Sequence, residues 1–204
     1  MIGIIDYGIG NLSSVHNALE RLNIKNEIFS DPNNISLYSK LILPGVGSFK
    51  LGMNMINKKG WSEKIKQRSK IGTPLLGICL GMQLLFTRGE EEGETNGLDL
   101  ISGTVKKMSV NKNLKLPHVG WNNLIFKRSH NFFSGIVEEN DFYFTHSYSC
   151  IVDNIDEVVA EFDYGNNFVA CVQKKNIIGT QFHPEKSMTS GIKLLENFSN
   201  WEVH

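Results

Sequence analysis

The chain is 204 residues long, and its 21 Lys and Arg are matched by 21 Asp and Glu, which leaves a formal net charge of zero. That length suits one domain over residues 1–204 with a core sufficient to fold without a disulfide or a metal. The balanced charge argues against nucleic acid, whose phosphates select a basic excess, and suits a chain that works docked to another protein.

The opening Met1-Ile2-Gly3-Ile4-Ile5-Asp6 lacks the basic lead and long apolar core of a signal peptide. No later run approaches the ~20 apolar residues of a membrane span. Three cysteines with no close pair form neither a disulfide framework nor a zinc site. The expectation is a soluble, cytoplasmic protein with reduced thiols, no metal and no cofactor.

Ile2–Ile5 is short, β-branched and followed by Asp6, Gly8 and Gly10, the pattern of a buried strand ending in a turn. Asn11 or Ser13 is placed to cap the next helix, whose Val15, Ala18, Leu19 and Leu22 keep helical spacing. Glu27–Phe29 is a weaker strand. Lys40–Leu43 is another, expected to stop at Pro44-Gly45-Val46-Gly47. Met53–Lys70 reads as one or two surface helices whose lysines form a solvated face. The strand Leu75–Ile78, a turn at Cys79 and a helix over about Met82–Phe86 follow. Strands and helices alternating through short connections predict a mixed, mostly parallel α/β sheet with helices on both faces, flavodoxin-like in its layering.

From about Leu98 the texture changes. Thr104–Met108, Asn123–Phe126, Asp141–Tyr148, Val158–Phe162, Phe168–Gln173 and Ile177–Phe182 read as strands without long helices between them, which predicts an antiparallel C-terminal extension of the sheet. Ile192, Leu195 and Phe198 mark one face of a closing helix over Gly191–Trp201.

The most informative stretch is Leu75-Leu76-Gly77-Ile78-Cys79-Leu80-Gly81-Met82-Gln83. An apolar strand runs into Gly-x-Cys-x-Gly and a helix starts at once, the arrangement of a nucleophile elbow with cysteine in place of serine. The turn would hold the sulfur at the C-terminal edge of the sheet, where open α/β sheets form their crevice, with backbone amides at hand for an oxyanion. Taken alone, the motif fits a nucleophile and a buried structural thiol equally. Cys150 and Cys171 sit in apolar strand-like runs and read as structural.

A cysteine nucleophile needs a base, and the base needs a group to fix its tautomer. His183 at the end of an apolar run, stiffened by Pro184 and followed by Glu185, is the best candidate pair. His16, on a helix, and His130 and His204, at the surface, are weaker. The Cys, His and acidic residues lack zinc-type spacing.

Together these pieces resemble the class I glutamine amidotransferases, whose mark is Pro-Gly-x-Gly, then Gly-x-Cys-x-Gly-x-Gln, then His-Pro-Glu. The resemblance implies a Cys79–His183–Glu185 triad in which Cys79 attacks the glutamine side-chain amide. It implies an oxyanion hole from Gly45, Val46, Gly47 and Leu80, although Pro44–Gly47 alone reads as a simple turn. It implies glutamine binding by Gly47, Gln83, His146, Ser147 and Tyr148. A narrower resemblance rests on Gly3–Leu12, Leu116-Pro117-His118-Val119-Gly120-Trp121-Asn122, Tyr143-Phe144-Thr145-His146-Ser147-Tyr148 and His183-Pro184-Glu185-Lys186-Ser187. These are similar to the glutaminase subunits of the imidazole glycerol phosphate synthases. That implies a heterodimer with a (β/α)8 cyclase subunit that receives ammonia for histidine biosynthesis, with Asn11, Tyr143 and Lys186 near the interface.

Phe49–Gly60 is richer in lysine and asparagine than the family pattern, and Ser149 is small. A paralogous subunit feeding another synthetase, for example in sugar amidination for surface polysaccharides, is the alternative reading. A non-catalytic regulatory or binding subunit is the second. Against that stand Cys79, His183 and Glu185, all present.

Overall fold

The computed structural model describes residues 1–202; His204 lies outside them. The chain opens with β1 (Ile2–Ile5), α1 (Leu12–Arg21), β2 (Asn26–Phe29) and β3 (Lys40–Gly45). Then come α2 (Phe49–Lys58), α3 (Trp61–Lys70), β4 (Leu75–Cys79) and α4 (Leu80–Leu84). After the short strands β5 (Phe86–Gly89) and β6 (Thr95–Asn96) follow β7 (Ile101–Lys107), β8 (His118–Asn123) and β9 (Ile125–Phe126). The remainder is β10 (Asp141–His146), β11 (Tyr148–Val152), β12 (Val158–Asp163), β13 (Asn167–Lys174), β14 (Ile177–Thr180) and α5 (Met188–Asn200).

An eight-stranded sheet in the order β2-β1-β3-β4-β14-β13-β12-β9 forms the frame. Its first five strands are parallel, and β13, β12 and β9 continue it antiparallel. Parallel strands buried on both faces read as unbroken apolar runs, and Ile2–Ile5 and Leu75–Cys79 are buried throughout. Alternate side chains feed two cores. Ile4, Ile42, Leu76 and Ile78 pack with Val15 and Leu19 of α1 and Leu194, Leu195 and Phe198 of α5. Ile5, Leu41, Leu43 and Leu75 pack with Met53, Ile56, Trp61 and Ile65 of α2 and α3. Lys40 at the start of β3 reaches across to the last carbonyls of α5, donating to Ser199 O at 2.7 Å, and so caps that helix with a cation.

The expected antiparallel extension is present, but it takes only part of the C-terminal half. The remainder forms a four-stranded sheet, β11-β7-β5-β6, and a two-stranded one, β10-β8. The run read as Asp141–Tyr148 breaks at Ser147, where the chain changes sheets. Asn123–Phe126 likewise divides between β8 and β9. Two other local readings need correction. Pro44 and Gly45 do not stop β3 but belong to it, paired with Ile78 and Cys79; β1 pairs only as far as Ile42, so a proline beyond that point interrupts no ladder with β1. The helix expected at Met82–Phe86 begins at Leu80 and ends at Leu84, and Phe86 opens β5. Asn11 occupies the N-cap position of α1 without a side-chain capping bond.

The early start of α4 is possible because Gly81 passes against β3: a Cβ there would lie 1.8 Å from the Leu43 carbonyl oxygen. Gly81→Ala is therefore expected to lower the unfolding free energy by about 3 kcal/mol or more, since backbone must move to admit the methyl. Urea denaturation checks this, and an unchanged midpoint would show that the two backbones are not in such contact.

Candidate active site

Four neighbouring parallel strands deliver their C-terminal ends to one crevice. Tyr7 follows β1, Gly45-Val46-Gly47 ends and follows β3, Cys79 ends β4, and Gln181 and His183 follow β14. Because the order is β1-β3-β4-β14, Cys79 has the glycine-rich turn on one side and the histidine on the other.

Cys79 has φ +55° and ψ −111°, a region that costs a side-chain-bearing residue about 1–3 kcal/mol. Pairing of β4 with both β3 and β14 holds it there. The residue is 6% exposed and opens into a cavity of about 410 Å³. Val46, Gly47, Leu80, Gln83 and Glu91 line it together with Pro117, the run Thr145-His146-Ser147-Tyr148, and His183. Gly47, at φ +106°, supplies a turn that L side chains rarely adopt. Gly45 is not in the lining; it is buried as the last residue of β3, paired with Cys79 and set beside the Tyr7 hydroxyl.

His183 lies beyond β14, not at its end. The strand stops at Thr180, and the His183 N–H donates to Tyr143 O at 2.9 Å. A 3-10 turn over Pro184–Lys186 then brings Glu185 back, with His183 Nδ1 donating to Glu185 Oε1 at 2.8 Å, both side chains 1% exposed. With Nδ1–H committed to the carboxylate, Nε2 is the free nitrogen, and it has no hydrogen-bond partner among the described residues. Burial alone lowers the pKa of this imidazole; the Cys79 thiol and the Glu185 carboxylate outweigh it, and the net shift is upward. A thiol, an imidazole raised by it and a buried carboxylate form a set able to ionise the sulfur and move a proton.

His146 is buried and donates Nδ1–H to Tyr148 O at 2.9 Å, so its Nε2 is left to accept from His118 Nδ1 at 3.4 Å. Burial drives the His146 pKa down to about 4, and the neighbouring His118 and His183 push the same way. Gln83 donates from Nε2 to Tyr148 O at 3.0 Å and to Gln181 Oε1 at 2.9 Å, so only its oxygen remains for a ligand. Lys186 Nζ stands 5.6 Å from the Tyr143 ring centroid, and Trp121 packs edge-on against Tyr143 at 5.7 Å. The start of the chain adjoins this rim, since α1 packs on the Pro184–Lys186 turn.

Several lining or neighbouring groups escaped the sequence reading. Glu91 accepts from Phe49 N–H at 2.8 Å, and burial raises its pKa; within Glu90-Glu91-Glu92 nothing local marks the middle acid. Gln181 lies next to the histidine motif, where spacing two residues before His183 was the available signal. Tyr7 has a buried hydroxyl without a partner among the described residues. Cys150 and Cys171 are buried thiols, as expected, with pKa values pushed up by burial. His130, expected at the surface, is half-buried, its Nδ1 accepting from Phe132 N–H.

Residues 3–200 match the family model for glutamine amidotransferase class-I. The chain belongs to that family. The amidotransferase is 47% identical to the imidazole glycerol phosphate synthase subunit HisH of Geobacillus sp. (strain WCH70), over 98% of this chain and 96% of the relative. It is 44% identical to the subunit of that name from Moorella thermoacetica, over 100% and 96%. With HisH 1 of Campylobacter jejuni serotype O:23/36 it shares 47% identity over 98% and 99%. Among solved structures, PurLQS from Thermotoga maritima superposes with a TM-score of 0.76 at 19% identity, covering 98% of this chain and 97% of that one, which speaks for the fold. Among the described residues of the amidotransferase no helix is long and apolar enough to cross a membrane.

The His146 shift makes a stability prediction. The unfolded imidazole takes its proton near 6.5 and the folded one only near 4, so acid favours unfolding. Stability is complete above about 6.5 and declines as pH falls toward 4. His146→Gln is expected to flatten this part of the stability–pH curve measured by urea denaturation; a curve of unchanged slope would show that His146 is not the group held neutral.

Proposed function

We propose that this class I glutamine amidotransferase, as a single domain, is the glutaminase subunit of an imidazole glycerol phosphate synthase, with Cys79 as nucleophile, His183 as base and Glu185 as orienter. The observation that carries the reading is the strained, nearly buried Cys79 sharing one cavity with a His183 that Glu185 holds at 2.8 Å. Cys79 passes its proton to His183 and its sulfur attacks the side-chain amide carbon of glutamine. The tetrahedral oxyanion is met by backbone N–H groups from Val46, Gly47 and Leu80, with Gly45 setting the course of that segment. Collapse breaks the C–N bond, the proton on His183 goes to the leaving nitrogen, and ammonia departs. Water, deprotonated by His183, then opens the thioester, giving glutamate and restoring the thiol.

The cavity lining suits the amino-acid end of glutamine. Glu91 offers a carboxylate to the α-ammonium group, Gln83 its oxygen, and Ser147 and Tyr148 border the same space. His146, held neutral, shapes the wall without adding a charge beside the triad.

Ammonia in neutral water is mostly protonated and no longer nucleophilic, so its release into solvent serves no synthesis. A partner that receives it directly is therefore part of the proposal: a (β/α)8 cyclase subunit forming a heterodimer in histidine biosynthesis. The rim supports docking. Trp121 and Val119 are exposed on β8, Met188 is exposed two residues beyond Lys186, and Tyr143 and Lys186 stand between. Asn11, at the head of α1, adjoins the same rim.

Cys79→Ala is expected to abolish glutamine-dependent synthesis in the complex while ammonium salts still support it. His183→Ala should cost at least ~10²–10⁴-fold in kcat/KM and Glu185→Gln less; steady-state glutaminase assays decide, and full activity in either would refute the triad. Glu91→Gln should raise KM for glutamine roughly 10–100-fold, the worth of a charged hydrogen bond, with a smaller change in kcat. An unaltered KM would remove Glu91 from the ammonium site. If a histidine-pathway cyclase leaves glutaminase activity unchanged while a sugar-modifying synthetase raises it, the chemistry stands and the assigned acceptor falls.

A further inference from the structure

Gln181 is wholly buried, two residues before His183. The chain bends at Gln181 and Phe182 after the strand ends at Thr180, and it brings Gln181 to the sulfur while His183 shares the Cys79 cavity. Gln181 Nε2 lies 3.8 Å from Cys79 Sγ in donor geometry, while its Oε1 accepts from Gln83 Nε2 at 2.9 Å. The second N–H of Gln83 goes to Tyr148 O at 3.0 Å.

The direction of this chain of amides is fixed by its far end. A side-chain amide can usually be turned over, exchanging donor and acceptor. The Tyr148 carbonyl can only accept, so Gln83 must present its NH₂ there. The same NH₂ then faces Gln181, which must answer with its oxygen and turn its own NH₂ to the sulfur. A backbone carbonyl thus determines, through two side chains, that Cys79 meets a donor.

We propose that Gln181 stabilises the Cys79 thiolate during attack on glutamine and again when the thioester is opened, and that Gln83 is the positioning residue that aims it. The proposal rests on the reading of Cys79 as the nucleophile. A neutral thiol is a poor acceptor and a thiolate a good one, since hydrogen bonds to an ionised partner are roughly twice as strong. Gln181 therefore acts on the state that reacts, more than on the resting one. Gln181 is the side chain whose N–H stands in hydrogen-bond geometry to the sulfur, and His183 is the base that shares its cavity. Burial keeps Tyr7 and Cys150 protonated and His146 neutral, so none of them sets a second charge beside the thiolate. Gln83 then has two tasks, its nitrogen committed to the amide chain and its oxygen left to the glutamine pocket.

The test is alkylation of the full chain by iodoacetamide across pH, with the modified cysteine located by mass spectrometry, in the unsubstituted protein, Gln181→Met and Gln83→Met. Methionine matches glutamine in length and lacks the donor. Gln181→Met is expected to move the half-maximal pH of Cys79 alkylation upward by about one unit, a roughly tenfold slower reaction below that midpoint. Gln83→Met should shift it the same way by less, because the Gln181 amide is then free to turn. A superimposable profile in either folded variant overturns the inference, and if Gln181→Met does not fold, Gln83→Met alone decides. Labelling of the unsubstituted protein at Cys150 or Cys171 in place of Cys79 is a separate result, and it removes the nucleophile assignment on which the inference rests.

Discussion

The approach of α4 to β3 is the contact on which the rest of the site depends. With hydrogen in place of a side chain at Gly81, the helix backbone lies against the Leu43 carbonyl, and α4 begins immediately after β4. The chain has one residue in which to change from strand to helix, and Cys79 takes up the reversal at φ +55°. A residue held there by paired strands on both sides has little freedom to relax. The consequence is a sulfur at a fixed point of the crevice, between the turn that follows β3 and the histidine that follows β14.

Burial then sorts the titratable groups into those that carry charge and those that do not. Desolvation pushes Tyr7, Cys150 and Cys171 up and His118 and His146 down, so each is held in its neutral form. His183 is the exception because two acidic neighbours, the Cys79 thiol and the Glu185 carboxylate, overcome the same desolvation. In so buried a setting these two neighbours act on the imidazole more strongly than they would in water. The two glutamine amides add orientation to this without adding net charge.

The outer rim is mechanically close to His183. Tyr143 presents its ring to Lys186 and Trp121 while its backbone carbonyl takes the His183 N–H, and its own N–H donates to Ser187 Oγ at 3.0 Å. Ser187 Oγ in turn donates to His183 O at 2.6 Å. A strand that reaches the surface on one side and the imidazole's backbone on the other is a short route between the exposed rim and His183.

The pairing of His183 with Glu185 and the parallel frame were legible in the residues because both depend on local pattern. Ile2–Ile5 and Leu75–Ile78 are unbroken apolar runs since both sheet faces are covered, and Glu185 reaches His183 through a single turn. Gly-x-Cys-x-Gly and His-Pro-Glu each contain their own geometry. What depended on the tertiary structure is whatever joins distant segments. The Met82–Phe86 helix was misplaced because its start is decided by contact with Leu43, and Pro44 was read as a stop because the end of β1 pairing is not visible from β3 itself. The split of Asp141–Tyr148 at Ser147 reflects a choice between sheets, which depends on partners nearby in space. Glu91 carries no local mark and Gln181 only its place beside the histidine motif, and folding brings the one into the cavity and the other to the sulfur, 102 residues away along the chain. The sequence by itself determined the local groupings, Gly-x-Cys-x-Gly and His-Pro-Glu, through short-range pattern; the tertiary structure decided which way the two glutamine amides point, because their hydrogen-bond partners come from segments distant along the chain.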